Sequence, residues 1–221
     1  MNKKILNISM LGLLFALVGC SGNNSSVASN TAKASDTSAS ETQTSSTATV
    51  DDKTALRMES ELTDLTGIVG SGISGSQSGV NMIQANAGAS GGYYVGFTHK
   101  SGFALTYNFT AEKAGKATIA LGLGNELGIG LAFDSNSLTV HLNDTKLSYT
   151  GFTVRVDGYK SYTLGDYDLV AGANKIVVTV VGPNEYCNNG TGGPEFDYVD
   201  LTTTDNSLAW NPKLTNLPEE E

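Results

Sequence analysis

The segment RMESELTDL, residues 57 to 65, places two carboxylates, Glu59 and Glu61, one residue apart. On a β-strand they would share a face, roughly 6–7 Å apart at ~3.3 Å rise per residue. Like charges at that spacing repel unless a cation or a hydrogen-bond donor lies between them. On a helix, Met58, Leu62 and Leu65 would instead form an apolar stripe at i, i+4 and i+7, and the segment alone does not choose. Asp134, Asp166, Glu185 and Glu195 offer a second carboxylate chemistry, since two acids facing one cleft can hydrolyse a glycosidic bond. Acids in loops are, as a rule, simply solvated. His99 and His141 are the only histidines, too few for a histidine-rich metal site. The sequence has no Ser/His/Asp spacing, P-loop or H-E-x-x-H motif.

The elements that must position these residues read as strands. FALTYNF, residues 103 to 109, alternates Phe103, Leu105, Tyr107 and Phe109 against smaller or polar residues, a period of two with one face buried. KATIALGL repeats the pattern with Ala117, Ile119, Leu121 and Leu123. LTVHL runs into an Asn143-Asp144 turn and a return strand. FTVRV, NKIVVTVV and DYVDLTTT continue the series, with glycines between the runs where turns need positive φ. Short strands at close intervals, no long helix and no internal repeat predict an antiparallel β-sandwich.

Ahead of this region lie Lys3 and Lys4, then an apolar run from Ile5 to Val18 that is short for a membrane span. It closes on Leu17-Val18-Gly19-Cys20, which resembles the lipobox of bacterial lipoproteins. That resemblance implies cleavage before Cys20, lipid on its sulfur, and a place on the extracytoplasmic face of a bacterial cell membrane. Residues 20–53 are rich in Ser, Thr, Ala and Asn and lack aromatics, a composition that predicts a disordered tether. The expected organisation is signal peptide 1–19, tether 20–53, sandwich 54–207 and tail 208–221. Loss of Lys3 and Lys4 would take the formal charge from −9 to −11, which argues against nucleic acid or anionic lipid as partner. With Cys20 carrying lipid, Cys187 is the one cysteine left free, read as an unpaired structural thiol.

The order of motifs in the folded part resembles the family 6 and family 35 carbohydrate-binding modules. Glu59-Ser60-Glu61 matches their opening E-x-E strand, ASGGYYVGF their small-residue run and aromatic strand, and AEKAGKATIALGL the next apolar strands. LTVHLND matches their hairpin, LVAGANKIVVTVV the L-x-a-G-x-N strand, and FDYVDL the last strand. The resemblance covers about residues 56 to 204 and implies a galactose-binding-like jelly roll. It also implies a structural calcium held by Glu59, Glu61 and an aspartate of the last strand, with Asp197 aligning better than Asp200. Such an ion takes six to eight oxygens at ~2.3–2.6 Å.

Sugar rings stack their C–H faces on aromatics, while their hydroxyls require paired donors and acceptors. The resemblance places that site at the loop ends, with Tyr93, Tyr94, Tyr159 and Tyr162 as candidate platforms. It adds Asn188 and Asn189, in the long loop before the last strand, as polar contacts. Many relatives carry a tryptophan before the L-x-a-G-x-N strand, and here that place holds tyrosines and Phe152. The sole tryptophan, Trp210, is read as packing against the sandwich bottom. The expected function is non-catalytic glycan binding by a monomeric, lipid-anchored surface protein. The alternatives are a sandwich that mediates protein or envelope contacts without sugar, and a small glycoside-active enzyme.

Overall fold

The computed structural model describes residues 53–72, 75–125, 130–155, 157–182, 193–214 and 217. In chain order the strands are β1 (Thr54–Glu59), β2 (Val69–Gly72), β3 (Gly75–Ser78), β4 (Ile83–Ala85) and β5 (Tyr93–Val95). Then come β6 (Ala104–Ala111), β7 (Gly115–Gly124), β8 (Leu131–Phe133), β9 (Leu138–Leu142) and β10 (Thr145–Lys146). The last are β11 (Phe152–Val154), β12 (Lys160–Leu169), β13 (Gly172–Val180), β14 (Glu195–Thr203) and β15 (Leu208–Trp210). Between them lie single 3-10 turns, among them Ser60–Leu62 and Ser90–Gly92.

Two antiparallel sheets carry the domain, so the β-sandwich expected from the sequence is what the chain forms. A six-stranded sheet runs β12-β7-β14-β5-β4, with β1 also on β14, and a five-stranded sheet runs β10-β9-β13-β6-β15. Alternation decides which side chains meet between them: Ile119, Leu121 and Leu123 of β7 share one core with Leu105 and Tyr107 of β6 and Ile176 and Val178 of β13. Tyr107 is wholly buried, and its hydroxyl finds the Ser60 hydroxyl at 2.7 Å, so the core reaches the turn after β1 through a satisfied polar tip. The expected strands at 103–109, 116–123, 138–142, 152–156, 174–181 and 197–204 are all present, with ends shifted by a few residues.

Two elements differ from the sequence reading. The stretch with Tyr159 and Tyr162, placed by the resemblance at the loop ends, runs from Lys160 as β12, a ten-residue strand paired along β7. A register shift between Thr163 and Gly165 inserts Leu164 as an extra residue. The inward series therefore runs Tyr162, Leu164, Tyr167, Leu169, and the break in its period conceals the strand. The sandwich also continues past residue 207: β15 pairs with β6, setting Trp210 opposite Phe109, and Trp210 packs half-buried against the core.

The hairpins far from β1's end are fastened by one side chain. Asn143 and Asp144 both hold positive φ, 48° and 69°, as a two-residue β9–β10 turn requires. Asn174 Oδ1 accepts from Asn143 Nδ2 at 2.8 Å and from the Val170 amide at 3.1 Å. Its Nδ2 donates to the Val170 and Gly172 carbonyls at 2.8 and 3.0 Å. This is the physical content of the asparagine in LVAGANKI. Asn174→Ala removes four part-buried hydrogen bonds at once, so a loss of about 2–4 kcal/mol is expected. A melting point lower by roughly 5–15 °C in scanning calorimetry would agree with it, and an unchanged one would not.

Candidate functional site

Glu59, Glu61 and Asp197 gather where the edge of β14 changes partner. β1 pairs with Tyr198 to Thr203, β5 pairs at Phe196, and Asp197 lies between. Asp197 is also the extra residue of a bulge, since Phe196 opposes Leu123 of β7 while Tyr198 opposes Gly122. A bulge releases a side chain from strict alternation, and this one puts a carboxylate inside at 1% exposure. The strand reading of RMESELTDL holds only to Glu59. There β1 ends, and Glu61 sits in the 3-10 turn, also at 1% exposure, so the two glutamates do not share a strand face.

Asp200 is elsewhere. It lies on the outer face and accepts Nε–H and Nη2–H of Arg57 at 2.8 and 2.7 Å, a bidentate pair. The same guanidinium covers the Tyr198 ring, 3.7 Å from its centroid. Of the two aspartates that were candidates beside the glutamates, Asp197 is the one brought there.

Ser90 joins the acids. Its amide donates to Asp197 Oδ1 at 2.9 Å and its hydroxyl to Glu59 Oε1 at 2.7 Å. Arg57 Nη1 in turn donates to the Ser90 hydroxyl at 3.1 Å. Against these donors stand two buried oxygens, Glu59 Oε2 and Glu61 Oε2, with no hydrogen-bond partner. Burial with neighbouring negative charge penalises the ionised forms. Desolvation, then Glu59 and Asp197, push Glu61 up to about 8. Desolvation first, with Glu59 beside it, pushes Asp197 up to about 7, and Glu59 is also raised.

Orphaned buried carboxylate oxygens in an all-oxygen set are the chemistry of a hard-cation site. Glu59 and Glu61 supply the orphaned oxygens, and Asp197 is buried with them. Among the described residues, however, no group of three or more Asp, Glu, His or Cys side chains is placed so that it could hold a metal ion.

The tyrosines divide into two groups. Tyr159 lies half-buried at the end of the six-stranded sheet. Its hydroxyl donates to Glu195 Oε2 at 2.9 Å, and its ring covers Gly124 so closely that a Cβ there would fall 2.4 Å from a ring carbon. Tyr94 packs beside it, centroids 5.4 Å apart, but at 5% exposure it backs the platform instead of forming one. Tyr93, one residue earlier, turns to the core. Tyr162 belongs to β12, not to a loop, and stacks on Phe152 at 4.7 Å within a second aromatic cluster that includes Tyr149. The structure therefore brings Tyr94 and Tyr159 together with Glu195 and separates them from Tyr162. Asn188, Asn189, Glu185, Cys187 and Cys20 lie outside the described residues.

The sequence reading did not single out Ser90 or Arg57, nor Glu195 as a partner of Tyr159. Ser90 was visible only as part of a small-residue run, whose meaning is the tight turn with Gly91 and Gly92 at φ 64° and 85°.

No family model and no curated protein matches the chain. Solved structures do. The family 35 module CBM35 from Cellvibrio japonicus Abf62 matches 70% of this chain and 97% of its own, at 14% identity and TM-score 0.48. A family 35 carbohydrate-binding module from Clostridium thermocellum matches 67% and 97%, at 16% identity and TM-score 0.47. The Podospora anserina GH26-CBM35 β-(1,4)-mannanase matches 66% of this chain and 27% of its own, at 17% identity and TM-score 0.47. At these values the likeness carries no ligand across to this chain.

The acid cluster makes a signed prediction about pH. Carboxylates raised in the fold keep protons that the unfolded chain releases near pH 4 to 5, so stability falls as pH rises through about 7 to 8. Asp64, Asp134 and Asp157 are held below their ordinary range by hydrogen bonds and act only in acid, while burial lowers His99, which titrates below about 6.5. In EDTA, the melting point should therefore drop by roughly 3–6 °C between about pH 7 and 8.5. Glu61→Gln should flatten that slope. A melting point that climbs over the same interval would refute the buried-acid account.

Proposed function

We propose that the sandwich binds carbohydrate without catalysis, at the sheet end where Tyr159, Tyr94 and Glu195 meet. The observation that carries this is the Tyr159 ring, laid flat on Gly124 with a carboxylate acceptor hydrogen-bonded at its tip. An aromatic surface beside a fixed acceptor suits a sugar's C–H face and hydroxyls together. The six motifs in family order support the same reading, and Asn188 and Asn189 remain the candidates for further polar contacts. Among the described residues, the acids that a glycosidase would pair are in separate arrangements, which supports binding over hydrolysis. Asp134 caps its own turn through Asn136 and Ser137, Asp166 accepts from Thr118, and Glu195 holds Tyr159.

The proposal includes a calcium ion on Glu59, Glu61 and Asp197. When bound, it would offset most of the charge of three carboxylates that desolvation and mutual repulsion now disfavour. It also includes a lipid on Cys20 that holds the domain on the outer side of a bacterial membrane, supported by Leu17-Val18-Gly19-Cys20 after the apolar run.

A glycan array probed with the protein, with and without calcium, tests the ligand. Tyr159→Ala or Asn188→Ala should weaken binding to an array hit by five- to a hundred-fold, about 1–3 kcal/mol, with circular dichroism unchanged. An array without hits, or hits indifferent to both changes, would favour a protein or envelope partner instead.

Calcium is tested by melting. At a hundredfold excess over Kd it should add about 2.7 kcal/mol, or roughly 5–10 °C, and Glu61→Gln should lose most of that gain. Identical curves in calcium and EDTA would remove the ion.

A further inference from the structure

The loop from Asn86 to Gly92 is closed on itself. The Asn86 amide donates to the Gly92 carbonyl at 2.8 Å, Ala89 N–H to Asn86 O at 2.9 Å, and Gly92 N–H to Ala89 O at 3.1 Å. Asn86 Oδ1 also accepts from the Gly88 amide at 2.9 Å. A loop tied by four internal bonds moves as a unit. One end lies on the acids, where a Cβ at Gly91 would stand 3.4 Å from Glu61 Oε1. The other lies on the proposed sugar platform, where a Cβ at Gly88 would stand 3.9 Å from Tyr159 Cδ2.

Within the loop, Ser90 is the residue hydrogen-bonded to the acids, by its amide to Asp197 and its hydroxyl to Glu59. Arg57 grips the same hydroxyl from the outer face and is itself fixed on Asp200 and Tyr198. The oxygens bonded to Ser90 are Glu59 Oε1 and Asp197 Oδ1, whereas the orphaned ones are Glu59 Oε2 and Glu61 Oε2. A cation can thus be served by the orphaned oxygens while Ser90 keeps its own.

We propose that Ser90 is a positioning residue that couples cation occupancy of the Glu59, Glu61 and Asp197 cluster to the order of the Asn86–Gly92 loop against Tyr159. The inference rests on the calcium and glycan reading above, and it adds a regulatory link between the two sites. Without the cation, repulsion among the acids works against the carboxylates that Ser90 must hold in place. With it, those carboxylates are fixed, and the loop edge beside Tyr159 is ordered before a ligand arrives. Linkage makes the effect mutual: calcium should tighten ligand binding by the same factor by which ligand tightens calcium binding.

The test uses the full chain as wild type, Ser90→Ala and Ser90→Thr, with calcium chloride or EDTA. Hydrogen exchange of the 88–92 amides is followed by mass spectrometry, and affinity is measured for a glycan taken from the array. In wild type, calcium should slow exchange in this loop by about five-fold or more and tighten the glycan by a similar factor. In Ser90→Ala, which keeps the amide bond to Asp197 but loses the hydroxyl bonds to Glu59 and Arg57, calcium should still raise the melting point, but both loop effects should fall to about half or less of the wild-type effect. Ser90→Thr returns the hydroxyl and should restore them. Wild-type exchange indifferent to calcium overturns the proposal, as does a Ser90→Ala protein that couples like wild type. Exchange is read without sugar, so an array without hits would fail the glycan reading alone. A missing calcium shift in the melting point of wild type would fail both the metal site and the coupling.

Discussion

The interaction on which the site end of the molecule depends is the burial of carboxylates at the place where β14 exchanges β1 for β5. Glu61 and Asp197 are each about 99% removed from solvent, and Glu59 and Glu61 each keep one buried oxygen without a hydrogen-bond partner. A carboxylate in that position has two stable outcomes: it takes up a proton or it gains a cation. The local architecture is what brings the acids to that position. The β14 bulge brings Asp197 inward, the 3-10 turn after β1 brings Glu61 inward, and Ser90 contributes two donors from a loop on the opposite side. Arg57 bears on the cluster from outside, where its bidentate pair with Asp200 keeps a positive charge near the acids without entering the core.

The two ends of the sandwich do different work. At the hairpin end, Asn174 satisfies its donors and acceptor against the turns it joins, which is the behaviour of a structural polar residue. At the other end, polar atoms are left without partners, glycines allow rings to lie on the sheet, and Tyr159 faces a carboxylate. Unsatisfied groups lower stability, so their concentration at one end is a feature expected of a binding site.

Period two made the strands legible wherever it was unbroken, as in Phe103 to Phe109 and Asn174 to Val181. It failed at β12 because Leu164 is an extra residue, and a bulge shifts every later side chain by one. The Asn143-Asp144 turn was readable because few residue pairs tolerate two positive φ angles. The site was only half legible. Glu59, Glu61 and Asp197 were marked by type and motif, but the change from strand to 3-10 turn at Ser60 depends on packing, through the Ser60–Tyr107 hydrogen bond, that no local pattern encodes. For the tyrosines, residue type gave a list of four, and only the sheet register could separate Tyr159 over Gly124 from Tyr162 stacked on Phe152.

That register also explains why LGLGN, residues 121 to 125, matters more than its composition suggests. Leu121 and Leu123 face the core, while Gly122 and Gly124 face outward under the rings of Tyr198 and Tyr159. A side chain at either glycine would lift its ring: the Cβ would meet Tyr198 at 2.5 Å or Tyr159 at 2.4 Å. The two rings have different fates. Tyr198 is capped by Arg57, so its ring serves to hold the Arg57–Asp200 pair over the acids. Tyr159 stands two residues further along β7, beside Glu195 and the Asn86–Gly92 loop. One short strand segment therefore seats both the aromatic that braces the carboxylate cluster and the aromatic proposed for the ligand, so both rings rest on a common strand.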